Sequence, residues 1–274
     1  MTDPDFDQVD YWTRRISGDI DLGVVGHRSL GRAYNEYIYR RRAVVLRDAI
    51  EELGLEPAGS KVLDVGAGSG YYVDFWRALG VPALVGIDLS REGMERLAAK
   101  YPEYRFLCAD VTSPSISAAI DSRFSVITVF DVIYHITDDD AAQRAFNSIS
   151  EMLERDGYLL VFDHIMGSDY ALRQHVKYRG EQHYAEMLHR ASLEIVGRRP
   201  LFVFLEPPVI GHRSADVLIS GIYCAAGMLM RRWNRLGSLA GRLVYRLDDW
   251  FSRSGVKTAN HELLIIKKRA DSGP

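Results

Sequence analysis

Two cysteines in 274 residues, Cys108 and Cys224, are too few for a disulfide framework, and no CxxC or Cys/His cluster offers a zinc site. That scarcity leads us to expect a reducing, cytoplasmic setting and no metal. No apolar run reaches the roughly 18 residues of a membrane span. The N-terminal MTDPDFDQVDYW is acidic and lacks an apolar core, so no secretory signal is expected there. A basic field is missing as well: the formal net charge of -3 argues against nucleic acid as the main partner, with a local basic patch still open. Repeats, low-complexity tracts and linkers that would mark a second independent domain are also lacking. What remains is 47% hydrophobic residues in a chain modestly longer than a typical domain of about 100 to 200, enough for one full core with additions.

The chemistry concentrates in Lys61 to Ser90, KVLDVGAGSGYYVDFWRALGVPALVGIDLS. Lys61 to Val65 is a short apolar run suited to a buried parallel strand, and Gly66, Gly68 and Gly70 follow at every second position. Without Cβ atoms the backbone there can approach a ligand closely. Tyr71 to Leu79 has helical spacing, Gly80 and Pro82 stop it, and Ala83 to Leu89 returns as a strand. Asp88 near that strand end can accept both hydroxyls of a ribose. Asp64, just ahead of the first glycine, repels a pyrophosphate but suits an ammonium or sulfonium group. G-A-G-S-G is also not the G-x-G-x-x-G of dinucleotide-binding dehydrogenases.

In residues and spacing, DVGAGSG followed by IDLS resembles the class I S-adenosylmethionine-dependent methyltransferases. The resemblance covers roughly residues 43–204 and 262–268. It implies a doubly wound, Rossmann-like α/β sheet, mostly parallel with an antiparallel last strand, with helices on both faces. It implies S-adenosylmethionine as cofactor, and the chain is expected to divide into an N-terminal arm and lid (1–40), a cofactor-binding core (41–205), a helical insertion and possible substrate lid (206–258) and a closing strand (259–270); the insertion departs from the family's pattern, in which a tight connection leads to the last strand. Matched onto this sequence, the cofactor set is Asp64, Gly66, Ala67, Gly68 and Gly70, then Asp88 and Leu89. Asp110 and Val111 follow the third strand, and Phe130 and Asp131 the fourth. Asp110 falls near the expected adenine amino group; an aspartate that merely caps a loop is the reading beside it.

The remaining elements are expected in order. An amphipathic helix carries Tyr34, Ile38, Val45, Ile50 and Leu53 up to Gly54, with Arg40, Arg41 and Arg42 on its polar face, either solvated or clamping an anionic substrate. Phe124 to Phe130 is the central fourth strand, and FDVIYHITDDD brings Asp131 and His135 to the ligand edge before a helix starting at Thr137 and Asp140. YLLVFDHI, Tyr158 to Ile165, ends in Asp163 and His164. Ser168 to Leu193 reads as one long helical region, Glu194 to Leu205 as strand six and His261 to Lys268 as the closing strand. If the acceptor atom is a hydroxyl it needs a base, and imidazole is the usual choice; His164, His135 and Asp163 are the candidates, with His164 placed first.

The acceptor is expected to be a small molecule, an alcohol on a sugar, lipid or natural product. Nitrogen and carbon acceptors stay open, as does a non-catalytic, cofactor-binding role. Gly211 to Lys257 holds a nearly uncharged run, Val217 to Met230, and then a basic amphipathic one. These apolar faces must be covered by the chain's own lid, a homodimer partner, an amphiphilic substrate or a membrane surface.

Overall fold

The computed structural model describes residues 11–12, 26–27, 29–253 and 261–269; most of the expected arm and the stretch 254–260 lie outside the described residues. Helix α1 spans Arg32–Glu52 and leads to strand β1, Lys61–Val65. Then come α2 (Tyr71–Ala78), β2 (Ala83–Asp88), α3 (Arg91–Lys100) and β3 (Arg105–Cys108). The short α4 (Ile116–Ile120) precedes β4 (Phe124–Phe130), a 3-10 turn (Ile133–His135), α5 (Asp139–Met152) and β5 (Leu153–Met166). After a hairpin, β6 (Tyr170–Arg173) and β7 (Val176–Gly180), the chain forms α6 (Glu181–Arg190) and β8 (Leu193–Pro200). Two long helices, α7 (Arg213–Arg232) and α8 (Asn234–Arg253), precede the last strand, β9 (His261–Lys268).

Strands β3, β2, β1, β4 and β5 lie side by side and parallel. Beyond β5 comes β9, antiparallel, and β8 pairs with β9's other edge. This is the doubly wound, mostly parallel sheet with an antiparallel late strand that the resemblance implies. Buried aliphatic runs such as Phe124–Phe130 fit strands covered on both faces. One face packs on α1, α2 and α3, through Ile38, Leu46, Val73 and Trp76. The other packs on α4, α5 and α6, through Ile120, Phe146, Ile149 and Leu188.

Several expectations change. Ser168 to Leu193 is not one helix: Tyr170 pairs with Tyr178, and helix begins only at Glu181. Val176 and Tyr178, buried two residues apart, carry a strand period, which the spacing of the histidines and arginines obscured. Strand six stops at Pro200 because the N–H groups of Val203, Phe204 and Leu205 all donate to Asp248 Oδ1, at 2.7, 2.5 and 3.0 Å. The cap of α5 is Asp138, whose Oδ1 accepts from Ala141 N at 2.7 Å, so neither Thr137 nor Asp140 starts that helix. Of the arginine triplet only Arg40 is exposed. Arg41 is buried against Leu201 O and Asp249, and Arg42 enters the site described below.

The insertion rests on α1. A Cβ on Gly241 of α8 would stand 2.4 Å from the Tyr37 ring, so only glycine lets the two helices approach this closely. Asp248 fastens the same helix to the segment after β8. We expect Asp248→Ala to strand three N–H groups in or beside the core and cost about 3 kcal/mol or more, read as a lower urea midpoint at unchanged slope. Asp248→Asn, which keeps an acceptor oxygen, should lose less.

Candidate active site

Where β1 ends, Gly66, Gly68 and Gly70 take φ values of 78°, 50° and 79°. At Gly66 a Cβ would also lie 2.4 Å from Val132 Cγ2, so any side chain is excluded twice over. Ile87 O accepts from both Gly66 N (2.8 Å) and Ala67 N (3.1 Å), pinning the turn to β2. Asp88 then fixes the next residues: Oδ2 accepts from Gly68 N and Oδ1 from Ser90 N, both at 3.0 Å. Each oxygen keeps a lone pair for a ribose hydroxyl. Burial raises the Asp88 pKa, and its backbone hydrogen bonds oppose that rise.

The turn borders a cavity of about 600 Å³ over the carboxyl ends of β1, β2, β4 and β5. Gly66, Ala67, Gly68, Asp88 and Leu89 line it on one side. Asp110, Val111, Phe130 and Asp131 line it further along the sheet edge. Asp110 Oδ1 also accepts from Thr112 N at 2.8 Å, so the loop-capping role is present beside any ligand role. Gly70 and Asp64, from the same predicted set, stand behind the wall. Gly70 is the left-handed residue that opens α2.

Asp64 is 2% exposed; Thr128 Oγ1 donates to its Oδ1 at 2.7 Å, and Oδ2 has no hydrogen-bond partner. Burial, only partly offset by Thr128, pushes its pKa up to about 7. A carboxyl so poised ionises readily when a cation approaches. Together, the unsatisfied Oδ2, the side-chain-free turn and Asp88 fit S-adenosylmethionine, whose amino acid end is an ammonium and whose ribose carries two hydroxyls.

The floor of the cavity is a closed ring of charge. Arg42, 3% exposed, forms an ion pair with Asp131 Oδ2 and places NH2 2.9 Å from Glu206 Oε1. His261 bridges the same two carboxylates, with Nε2 2.9 Å from Asp131 Oδ1 and Nδ1 3.0 Å from Glu206 Oε2. Burial alone would raise both acids, but Arg42 and His261 hold them well below the usual carboxylate range. Burial likewise opposes the His261 charge, and the two carboxylates outweigh it. Asp131, expected on the cofactor, is thus committed to this ring while still lining the cavity. Its φ of 60° is the left-handed turn that aims it there.

His164 stacks on His261, with ring centroids 4.1 Å apart, because the two residues are in register across β5 and β9. Burial first, and the neighbouring imidazolium second, lower its pKa well below the usual value, so it is neutral and a weak base. His135 is held differently. Its Nδ1 lies 2.8 Å from His175 O, and since a carbonyl only accepts, Nδ1 carries the proton and Nε2 is the basic atom of the neutral ring. The hairpin supplying His175 is anchored by Arg179, which donates to Ile133 O and Ile136 O on either side of His135. From the arm, Trp12 packs edge-on against His135 and Tyr11 stacks on His175.

Asp163 is a correction. On β5 the odd residues Leu159 and Val161 face the α5 side, and Asp163 follows them, 1% exposed and away from the cavity; it does not reach the ligand edge. The residues that sequence reasoning missed are Glu206 and His261, and Arg42, left open there as a substrate clamp, instead pairs with the chain's own acids. Glu206 had a signal, an acid between an apolar run and Pro207-Pro208, and His261 opens the closing strand.

Two groups have metal-compatible spacing among the described residues: His164, Glu206 and His261, and Asp139, Asp169 and His183. In the first, Arg42 and His261 already neutralise its one acid, Glu206. In the second, Lys177 and Arg179 neutralise the two acids. Neither needs a metal for charge balance.

A family profile described as a methyltransferase domain matches residues 37–197. The chain is 30% identical over 216 residues to phosphoethanolamine N-methyltransferase 3 of Arabidopsis thaliana, covering 69% of this chain and 42% of the relative. It is 27% identical over 149 residues to a ubiquinone biosynthesis O-methyltransferase of Albidiferax ferrireducens, covering 50% of this chain and 57% of the relative. The chain thus spans about half the length of these curated relatives. Among solved structures, 1,6-didemethyltoxoflavin-N1-methyltransferase of Burkholderia thailandensis, bound to its substrate and S-adenosylhomocysteine, aligns with TM-score 0.51 at 17% identity, covering 86% of this chain and 79% of that one. The chain belongs to the class I S-adenosylmethionine-dependent methyltransferase family.

Asp64 yields a pH prediction. Its folded pKa of about 7 lies above the unfolded 3.8, so its contribution to stability is full below 3.8 and is lost as pH rises toward 7. Asp64→Asn never ionises. Its stability relative to wild type, measured by urea unfolding without ligand, should therefore improve from about pH 5 to about pH 8 by on the order of 2 to 4 kcal/mol. Its affinity for S-adenosylhomocysteine, measured by calorimetry at the higher pH, should fall.

Proposed function

We propose that the chain transfers the methyl group of S-adenosylmethionine to a hydroxyl of a small molecule, with His135 Nε2 as the general base. The observation that carries this reading is the Nδ1 hydrogen bond to His175 O, which leaves the basic lone pair on Nε2 of a ring that lines the cavity. When bound, the cofactor supplies a methyl group already activated on a sulfonium. Asp88 would hold the ribose, Asp64 would answer the positive end, and the glycine turn would give backbone contact. His135 would take the hydroxyl proton as the oxygen attacks, and Trp12 and Tyr11 would exclude water from that side. Tyr134, Tyr178 and Val209 offer the acceptor an apolar, aromatic wall. That wall suits an acceptor with a greasy body. Here His135 takes precedence over His164, whose basicity is depressed by burial and then by the His261 cation.

A second reading, N-methyl transfer, is favoured by the Arabidopsis relative, because that match extends over the larger share of this chain. A mass-spectrometric screen for the gain of one methyl, with alcohols, phenols and amines in parallel, separates the two.

The cofactor is tested first: S-adenosylhomocysteine at 100 times its dissociation constant should add about 2.7 kcal/mol of stability, and NAD should add nothing. With an alcohol acceptor in hand, His135→Ala should lower kcat by about 10² to 10⁴ while leaving cofactor affinity nearly unchanged. A full-sized loss in His164→Ala with none in His135→Ala would reverse the assignment.

A further inference from the structure

The two helices of the insertion present more exposed apolar surface than any other part of the described chain. On α8, Leu239, Leu243 and Leu247 recur every fourth residue on the side opposite Gly237, Gly241 and Asp248, and they are 66%, 60% and 46% exposed. On α7, Leu218, Ile222 and Leu229 form a second outward stripe, each more than half exposed. The helices meet at Trp233, itself 56% exposed, with Arg231, Arg232 and Arg235 around the corner.

Charge is sorted across this hairpin. The stretch from residue 213 to 253 holds seven arginines and three aspartates. Every aspartate is turned inward. Asp216 accepts from Ile210 N and Gly211 N, Asp248 from the segment after β8, and Asp249 pairs with Arg41. Arg231, Arg232, Arg235, Arg242 and Arg246 are all exposed, and none forms an ion pair among the described residues. The outer face is therefore leucine flanked by arginine, with a tryptophan at the corner, although the whole chain is net negative.

We propose that the outer face of the α7–α8 hairpin docks on a bilayer surface carrying anionic lipid. Leucines enter the interfacial region, arginines meet the lipid phosphates, and Trp233 sits at headgroup depth. No helix of the described chain is long and apolar enough to cross a membrane, so the contact is peripheral. A second copy of the chain is the less favourable occupant, since a two-fold contact through this face sets arginines against arginines. Ser220 and Cys224 of α7 line the cavity from the inner side, so the docked helix also forms a wall of the candidate site.

The test is co-sedimentation of the full chain with phosphatidylcholine vesicles, with and without phosphatidylglycerol. Binding is expected with the anionic vesicles, falling in high salt. Arg242→Glu with Arg246→Glu should weaken it by about fivefold per arginine or more, and replacing Leu239, Leu243 and Leu247 by Ser by more than about tenfold. Both variants should keep the thermal shift with S-adenosylhomocysteine, which certifies the fold whatever the acceptor proves to be. Equal sedimentation with neutral and anionic vesicles, or variants that bind as the parent does, would overturn the proposal. So would a vesicle-indifferent dimer that the leucine replacements convert to monomer in sedimentation velocity, which would make this face a homodimer interface.

Discussion

The structure hangs on the ring of Arg42, Asp131, His261 and Glu206. Its four members come from α1, the turn after β4, the start of β9 and the segment leading into α7, so one buried set of charges joins four distant parts of the chain. Each ion alone would be costly to desolvate, and two cations alternating with two anions remove most of that cost. The ring also decides the chemistry beside it. Burial keeps His164 neutral, and the cation held on its stacked neighbour His261 adds to that. His135 lies outside the ring and is oriented by the His175 carbonyl, which puts its proton on Nδ1.

The cavity opens where the parallel strands end, and the two acids near that edge are tuned in opposite directions by their surroundings. Asp64, with one hydroxyl donor and an unsatisfied oxygen, is held near neutrality. Asp131, between two cations, is fully ionised. One carboxyl is thus near its midpoint at neutral pH and the other is a fixed anion.

Much of this was legible in the sequence because it is local. The glycine turn, Asp88, the strand at Phe124–Phe130 and the closing strand HELLIIKK follow from periodicity and turn chemistry within windows of about ten residues. The misreadings share a cause: they depend on partners far away. Nothing in Leu201 to Leu205 announces that Asp248 will take its N–H groups, and an apolar run therefore looked like more strand. The arginine triplet read as a solvated face or a substrate clamp because its acids lie far along the chain. Ser168 to Leu193 read as one long helical region, whereas the buried Val176 and Tyr178 mark a strand. Asp163 was misread for a simpler reason, since adjacent residues on a strand cannot both face the same cavity, and His164 already does.

His261 is the last member of the charge ring to be synthesised, and β8 joins the sheet only through the strand that carries it. During synthesis Arg42, Asp131 and Glu206 have left the ribosome before it, at about 5 to 20 residues per second, so for part of that time the two carboxylates share a single cation. A nascent chain paused between α8 and β9 would hold β5 with an open edge and a floor carrying unbalanced negative charge. The last strand closes that edge and gives β8 its partner in one step, as a latch does.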